Sequence, residues 1–331
     1  MAALPLIDIS PLLDVGADHR PIAEQIDHAC RRFGFFRIVG HGVPPGRLAE
    51  LDRLAREFFA QPDDVKAEIA MVHGGAAWRG WFPLDGELTS GRPDHKEGIY
   101  FGAELGPDDP SVLTGRPLHG ANLFPASPAG LGPAVLAWID TMTVLGTVLL
   151  RAVALGLALP PDWFERHVTA DPTVLFRIFN YPPGQADGWG VAEHTDYGLL
   201  TILATDHHEG LQVHAPDGWI DVPADPEVFV VNLGDMLDRM TEGRYRSTPH
   251  RVVNRTSASR LSFPCFIDPS WDAMCPPMPL DGSPPPDDAT RRWDGASVRA
   301  WDGTYGAYLT AKVAKVFPAL ADKVKRSADV G

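Results

Sequence analysis

Apolar positions recur at three- and four-residue spacing in two early stretches of the chain. Between Ala23 and Arg32 this spacing predicts an amphipathic helix, and the β-prone "GFFRIVGHGV" that follows predicts a strand ended by glycines. Leu48, Leu51, Leu54, Ala55 and Phe58 share a helical face after "PPG", with Pro62 just past the end of that second helix. From Gly74 to Pro128 the pattern loosens into a Gly/Pro-rich stretch with short strand signals such as "GIYFGAEL", which predicts connecting structure wrapped on a core. Leu131 to Pro160 is the most apolar span. Asp140 and Arg151 interrupt it, so it predicts one or two buried helices rather than a membrane crossing.

Beyond residue 170 the period falls to two. "VLFRIFNY", "LLTILAT", "GLQVHA", "GWIDV", "VFVVNL", "HRVVN" and "RLSFPCFI" are short β-prone runs separated by turn clusters. They predict a double-sheet jelly roll, or double-stranded β-helix, over about residues 173–269. Tyr305, Tyr308, Leu309, Val313, Val316 and Leu320 predict a last helix over about 304–326. No repeat or long linker divides the chain. The expected fold is therefore α+β, mainly β with flanking helices, in one domain of residues 1–331: a helical and connecting part to about 170, the jelly-roll core, and the terminal helix.

Composition narrows the function classes. A chain of 331 residues that is 44% hydrophobic and 22% charged can bury roughly 75% of its unfolded surface, enough to enclose a site. A formal charge of −14 argues against nucleic acid and anionic membrane as partners, since both select basic surfaces. Cys30, Cys265 and Cys275 are odd in number and far apart, which offers neither a disulfide framework nor a Cys-x-x-Cys metal site. That cysteine usage fits a reducing compartment, so the expected location is cytoplasmic, and "MAALPLIDIS" has no basic segment followed by an apolar core.

Histidine next-but-one to an acid occurs three times, at His95-x-Glu97, His194-x-Asp196 and His207-x-Glu209, against about 1.6 expected by chance from the composition. Context favours the second. In a strand, residues i and i+2 share a face, so His194 and Asp196 can both point into a barrel mouth if that segment is extended. His250, at the entry of "HRVVN", completes two histidines and one carboxylate with open coordination positions, the pattern of non-haem Fe(II) oxygenases. The strand-like ends of "HRVVNRTSASRLSF" flank a polar turn near Arg255, and an antiparallel hairpin there pairs His250 with Arg260. Arg260 and Ser262 then share one face beside the metal, where a guanidinium and a hydroxyl hold one carboxylate of a short diacid whose other end chelates it. Arg255-x-Ser257 has the same spacing but falls at the tip of that hairpin.

With these residues assembled, the chain resembles the isopenicillin-N-synthase-like branch of the Fe(II)/2-oxoglutarate-dependent oxygenases over nearly its whole length. The segments that carry the resemblance are "LPLIDIS", "GFFRIVGHGVP", "RGWFP", "FRIFNYPP", "HTDYGLLTIL", "GLQV", "VVNLGDMLDRMT", "STPHRV" and "RLSFPCFIDP". The resemblance implies that His194, Asp196 and His250 ligate iron, that Arg260 and Ser262 clamp the tail carboxylate of 2-oxoglutarate, and that Tyr181 adds a hydroxyl to the clamp. It implies Fe(II), 2-oxoglutarate and O2 as cofactor and cosubstrates. The implied enzyme is a dioxygenase that hydroxylates or desaturates a small polar molecule such as an amino acid, with release of succinate and CO2.

"GELTSGRPD" with "HTDYGLL" further resembles the bacterial ethylene-forming sub-branch, which holds an arginine co-substrate through acidic and hydroxyl groups. The matching positions are Glu87, Thr89, Arg177 and Tyr197, whereas the sub-branch's C-terminal Arg-x-Tyr reads Lys315 and Phe317 here. Rival classes are a 2-oxoglutarate-independent iron oxidase of the same family, a zinc hydrolase and a non-catalytic jelly-roll binding protein. Against the hydrolase, the chain has no HExxH pair.

Overall fold

The computed structural model describes residues 3–89, 91–183, 190–253, 256–287 and 295–318. Its strands are β1 (Leu6–Asp8), β2 (Phe35–Val39), β3 (Gly80–Phe82), β4 (Leu88–Thr89), β5 (Arg92–Pro93), β6 (Glu97–Gly102), β7 (Pro172–Tyr181), β8 (Val191–His194), β9 (Leu200–Thr205), β10 (Leu211–Ala215), β11 (Gly218–Asp221), β12 (Phe229–Leu233), β13 (His250–Val252) and β14 (Arg260–Ser270). Eight of them form a large sheet in the order β1-β2-β12-β9-β14-β7-β6-β3, and β11-β10-β13-β8 form a smaller one. β4 and β5 pair separately. Every pair is antiparallel except β1 with β2. The two main sheets make the double-stranded β-helix core.

Strand alternation decides which residues meet. On β14, Arg260, Ser262, Pro264, Phe266 and Asp268 line the cavity between the sheets, while Leu261, Phe263, Cys265 and Ile267 are buried on the other side. On β7 the cavity side is Leu175, Arg177, Phe179 and Tyr181. The helix Leu131–Gly156 covers the outer side of the large sheet, packed against β14, β9 and β7 and against the helices Arg20–Phe33 and Pro45–Phe59. By length and hydropathy it could cross a membrane, but its apolar stripe of Leu131, Val135, Trp138, Met142, Leu145, Leu149 and Val153 is buried in this packing. Gly146 allows the close approach: a Cβ there would lie 2.6 Å from Ile267 Cγ1. Gly34 ends the helix Arg20–Phe33 at φ 64°, in the left-handed region, and turns the chain directly into β2.

Three expectations need correction. His250 and Arg260 do not form a hairpin: β13 pairs with β8 and β10 in the small sheet, while β14 pairs with β7 and β9 in the large one. Arg260 lies opposite Tyr181 and His250 opposite His194. Asp196 does not share a strand with His194, because β8 ends at His194 and Asp196 is in the turn to β9. The N-terminal part is more than helical and connecting structure, since β1, β2, β3 and β6 extend both edges of the large sheet. The apolar span makes one helix. The last helix is Tyr305–Val316 among the described residues; the expected continuation over 319–326 lies outside them, as does Arg255.

Candidate metal centre and cosubstrate pocket

His194 closes β8, and its register partner His250 opens β13, so the ladder alone brings the two imidazoles to a centroid separation of 4.2 Å. The turn after β8 returns Asp196 to them. Its Oδ1 lies 3.9 Å from His194 Nε2 and 3.8 Å from His250 Nε2, and the ligand atoms of the three residues all lie within 4.8 Å of one another. One cation with bonds of about 2.1 Å bridges ligand atoms up to about 4.2 Å apart.

Each ligand is oriented from behind. His194 Nδ1 donates to the Ala192 carbonyl at 2.8 Å and His250 Nδ1 to the Thr248 carbonyl at 3.2 Å. A carbonyl can only accept, so the proton is on Nδ1 and both Nε2 lone pairs face the centre. Asp196 Oδ2 accepts from Thr201 Oγ1 at 2.5 Å and Asn232 Nδ2 at 2.6 Å, which leaves Oδ1 for a metal. Burial pushes His194 below its usual range and, with His194 beside it, holds His250 down to about 4, so both imidazoles are neutral ligands near pH 7. Burial alone would raise Asp196. His250, His194 and the bonds from Asn232 and Thr201 outweigh it and keep the carboxylate ionised.

The three residues line a cavity of about 930 Å³, counting its open mouth, and Arg260, Ser262 and Tyr181 line it too. Arg260 is 1% exposed. Its Nε donates to the His208 carbonyl at 3.2 Å, its guanidinium sits 5.0 Å over the Tyr181 ring, and Nη1 is buried without an acceptor. Tyr181, opposite Arg260 in the ladder, is hydrogen-bonded with Ser262.

The comparisons with known proteins agree with this arrangement. Residues 4–127 match the family described as non-haem dioxygenase in morphine synthesis, N-terminal, and residues 172–269 match the 2OG-Fe(II) oxygenase superfamily. The chain belongs to the 2OG-Fe(II) oxygenase superfamily. A probable iron/ascorbate oxidoreductase of Dictyostelium discoideum is 42% identical, over 97% of this chain and 96% of its own. A 1-aminocyclopropane-1-carboxylate oxidase of Dictyostelium mucoroides is 32% identical over 95% of each. A full-length Neurospora crassa protein, solved in complex with alpha-KG (2-oxoglutarate), superposes with a TM-score of 0.77 at 25% identity, covering 94% of this chain and 96% of the other. As a 2OG-Fe(II) oxygenase the protein is an oxidoreductase that needs Fe(II), 2-oxoglutarate and O2, and small-molecule substrates are typical of the family.

The residues present fit the groups such an oxygenase uses. Two neutral imidazoles and a carboxylate suit Fe(II) and leave coordination positions open. The orphaned Nη1 of a buried guanidinium is what a carboxylate acceptor would satisfy.

The oxygenase's remaining candidate residues, Glu87, Thr89, Arg177 and Tyr197, also line the cavity. Glu87 is not free. Its Oε1 accepts from Tyr100 Oη, and Lys96 Nζ stands 2.9 Å from its Oε2, off the hydrogen-bond direction. Lys96 donates to Asp94 Oδ2 at 2.5 Å, and Thr89 Oγ1 donates to the same oxygen. Glu97 is buried and bonded to Lys66, Trp81 and Asn180, and both His207 and Glu209 are exposed, so neither rival triplet joins the centre.

Sequence reasoning missed Asn232, Lys96, Asp94 and Asp268. Asn232 carried a signal, as a lone amide on an alternate position of the apolar "VFVVNL". "PDHKE" reads as a structural or pocket-wall stretch with no role for Asp94 or Lys96, and both are 1% exposed.

Proposed function

We propose that the protein is a dioxygenase that hydroxylates or desaturates a small polar molecule, such as an amino acid, with conversion of 2-oxoglutarate and O2 to succinate and CO2. His194, Asp196 and His250 hold the iron, and Arg260, Ser262 and Tyr181 take the tail carboxylate of 2-oxoglutarate. Bound iron with the keto acid supplies the oxidising power, one oxygen atom going to succinate and the other to the hydroxylated product or to water. The protein's residues position the partners: Asn232 and Thr201 aim Asp196, the Ala192 and Thr248 carbonyls aim the histidines, and the apolar walls Phe35, Leu203, Leu211 and Val252 limit water.

The observation that carries this reading is one cavity holding both a two-histidine, one-carboxylate cluster and a buried arginine with a partnerless nitrogen. The 1-aminocyclopropane-1-carboxylate oxidase relative, named for an amino acid, supports the substrate class. Anaerobic addition of Fe(II) and then 2-oxoglutarate should give the weak visible charge-transfer band of a chelated keto acid. The band should be absent in His194→Ala and should need far more 2-oxoglutarate in Arg260→Ala. A wild-type protein that binds iron and shows no band would sink the proposal.

A further inference from the structure

We infer that Arg56, on a helix outside the cavity, is a positioning residue for the 2-oxoglutarate clamp: together with Asp206 it fixes both peptide groups that flank Arg260. The inference rests on the function proposed above, in which Arg260 takes the tail carboxylate of the cosubstrate.

Arg260 needs an external hold because of its place in the sheet. It is the first residue of β14, with Tyr181 of β7 opposite it on one side. On the other side the ladder to β9 starts at Ser262, opposite Thr205, so Arg260 lies beyond the last strand pair there. Strand ends fray, and a long side chain moves with the backbone that carries it. Asp206, the residue after β9, continues that edge. Its N–H donates to the Leu261 carbonyl at 3.2 Å, and its Oδ2 accepts from Leu261 N at 2.8 Å. Its Oδ1 accepts from His208 N at 2.9 Å, and the His208 carbonyl accepts from Arg260 Nε at 3.2 Å.

Arg56 completes the hold from the last turn of the helix Pro45–Phe59. Asp52, one turn earlier, accepts from its Nε at 2.9 Å and from its Nη2 at 3.1 Å, a two-point bond that fixes the guanidinium plane. The same Nη2 donates to Asp206 Oδ2 at 2.7 Å, and Nη1 donates to the Ser259 carbonyl at 3.1 Å. The Ser259 carbonyl belongs to the peptide before Arg260, and the Leu261 N–H belongs to the peptide after it. Both peptides are therefore tied to one ion pair. Its anion is buried, with the Asp206 side chain 2% exposed, so the pair is little screened by water and Asp206 depends on its donors. Arg56 and Asp206 are not among the described residues that line the cavity, so they act on the cosubstrate only through Arg260. Lysine is a poor replacement at position 56, because one ammonium lacks the planar fork that reaches Asp52, Asp206 and Ser259 together.

The test uses Arg56→Ala and Arg56→Lys in the full-length protein. In anaerobic titrations with Fe(II), read by the charge-transfer band, Arg56→Ala should need about tenfold more 2-oxoglutarate than wild type, with Arg56→Lys in between. Affinity for Mn(II) alone should be unchanged, since the pair holds Arg260 and not the histidines. Adding Asp206→Asn to Arg56→Ala should cost little beyond Asp206→Asn alone, because both act through one link. In the metal-free protein, amide hydrogen exchange over residues 256–263 should rise in Arg56→Ala while β12 stays as protected as in wild type. An unchanged 2-oxoglutarate requirement in Arg56→Ala overturns the inference, and so do effects of the two substitutions that simply multiply. Equal losses of Mn(II) and 2-oxoglutarate affinity, or exchange rising throughout the chain, would make Arg56 a general support of the fold and overturn it as well. If Arg56→Ala does not fold, Arg56→Lys is judged by the same outcomes. A wild-type protein without the band defeats the proposed function instead, whereas hydrogen exchange in the metal-free protein still reads the hold on Arg260.

Discussion

Replacing Arg260 by methionine separates a ligand-binding arginine from a structural one. Among the described residues the guanidinium has one hydrogen bond, to the His208 carbonyl, and leaves Nη1 buried and unpaired. An unsatisfied buried donor costs about 1–3 kcal/mol, and methionine retains much of the stem's packing, so Arg260→Met should melt at or above the wild-type temperature without ligand. With metal and 2-oxoglutarate at 100 times its dissociation constant, wild type gains about 2.7 kcal/mol. At about 2.1 cal/mol/K per residue over 331 residues, that is a rise of about 4 °C. Losing one partner of a buried charge pair costs about 2–5 kcal/mol, roughly 30- to several-thousand-fold in affinity. The same 2-oxoglutarate concentration should therefore raise the variant by about 1 °C or less. The assay is an anaerobic thermal melt with Mn(II), with and without 2-oxoglutarate. An equal ligand shift in both proteins would refute the clamp, and a ligand-free variant melting well below wild type would mean that Arg260 holds the fold instead.

Three further outcomes are expected. Asp206 accepts from Leu261 N at 2.8 Å, from His208 N and from Arg56, and so holds both the strand that carries Arg260 and the loop whose carbonyl receives its Nε; Asp206→Asn should raise the 2-oxoglutarate half-saturation about tenfold with kcat retained, and steady-state kinetics showing a fall in kcat alone would refute this positioning role. Lys96→Met leaves Glu87 and Asp94 buried without their cation and should destabilise by about 3–5 kcal/mol in urea melts, with recovery when Glu87→Gln and Asp94→Asn are added; no recovery would place the loss in packing. The Asp268 carboxyl, raised by burial from 3.8 to about 7, contributes stability that is fully present below pH 3.8 and lost as pH rises through about 7. Asp268→Asn should accordingly gain on wild type between pH 4 and pH 8, by on the order of 4 kcal/mol at most, and a pH-independent difference in denaturant melts would count against it.

The elements were legible where one period ran long enough to average out exceptions. The seven β runs, the helices Arg20–Phe33 and Pro45–Phe59, and the strand in "GIYFGAEL" all form near their expected places. β8 was missing from the expected runs because "VAEH" is four residues with an acid inside, too short and too polar for a period-two signal. Sheet membership was not legible, because it depends on long-range pairing. β2 and β6 read as isolated β runs among helices and connecting structure, and nothing local shows that one adds to β12 and the other to β7. Lys96 escaped notice for a related reason: a lysine between acids is usually a solvated face, and only the burial of β6 turns it into the cation that matches the cavity's acids.

The misplaced hairpin shows why the clamp and the centre belong to different sheets. Had β13 and β14 paired, His250 and Arg260 would sit about 4.5–5.5 Å apart as neighbours, with little room for a dicarboxylate between metal and guanidinium. Instead the small sheet carries His194 and His250, and the large sheet carries Arg260, Ser262 and Tyr181. Packed sheets stand about 10 Å apart, and the side chains of both inner faces must share that gap. In the proposed function a short diacid spans that gap, with one end at the imidazoles and the other at Arg260. Because β14 and β7 are neighbours in the large sheet, the surface that presents the clamp also presents Arg177 further along. Two guanidiniums thus lie on one sheet face of the cavity, with the two imidazoles on the facing sheet.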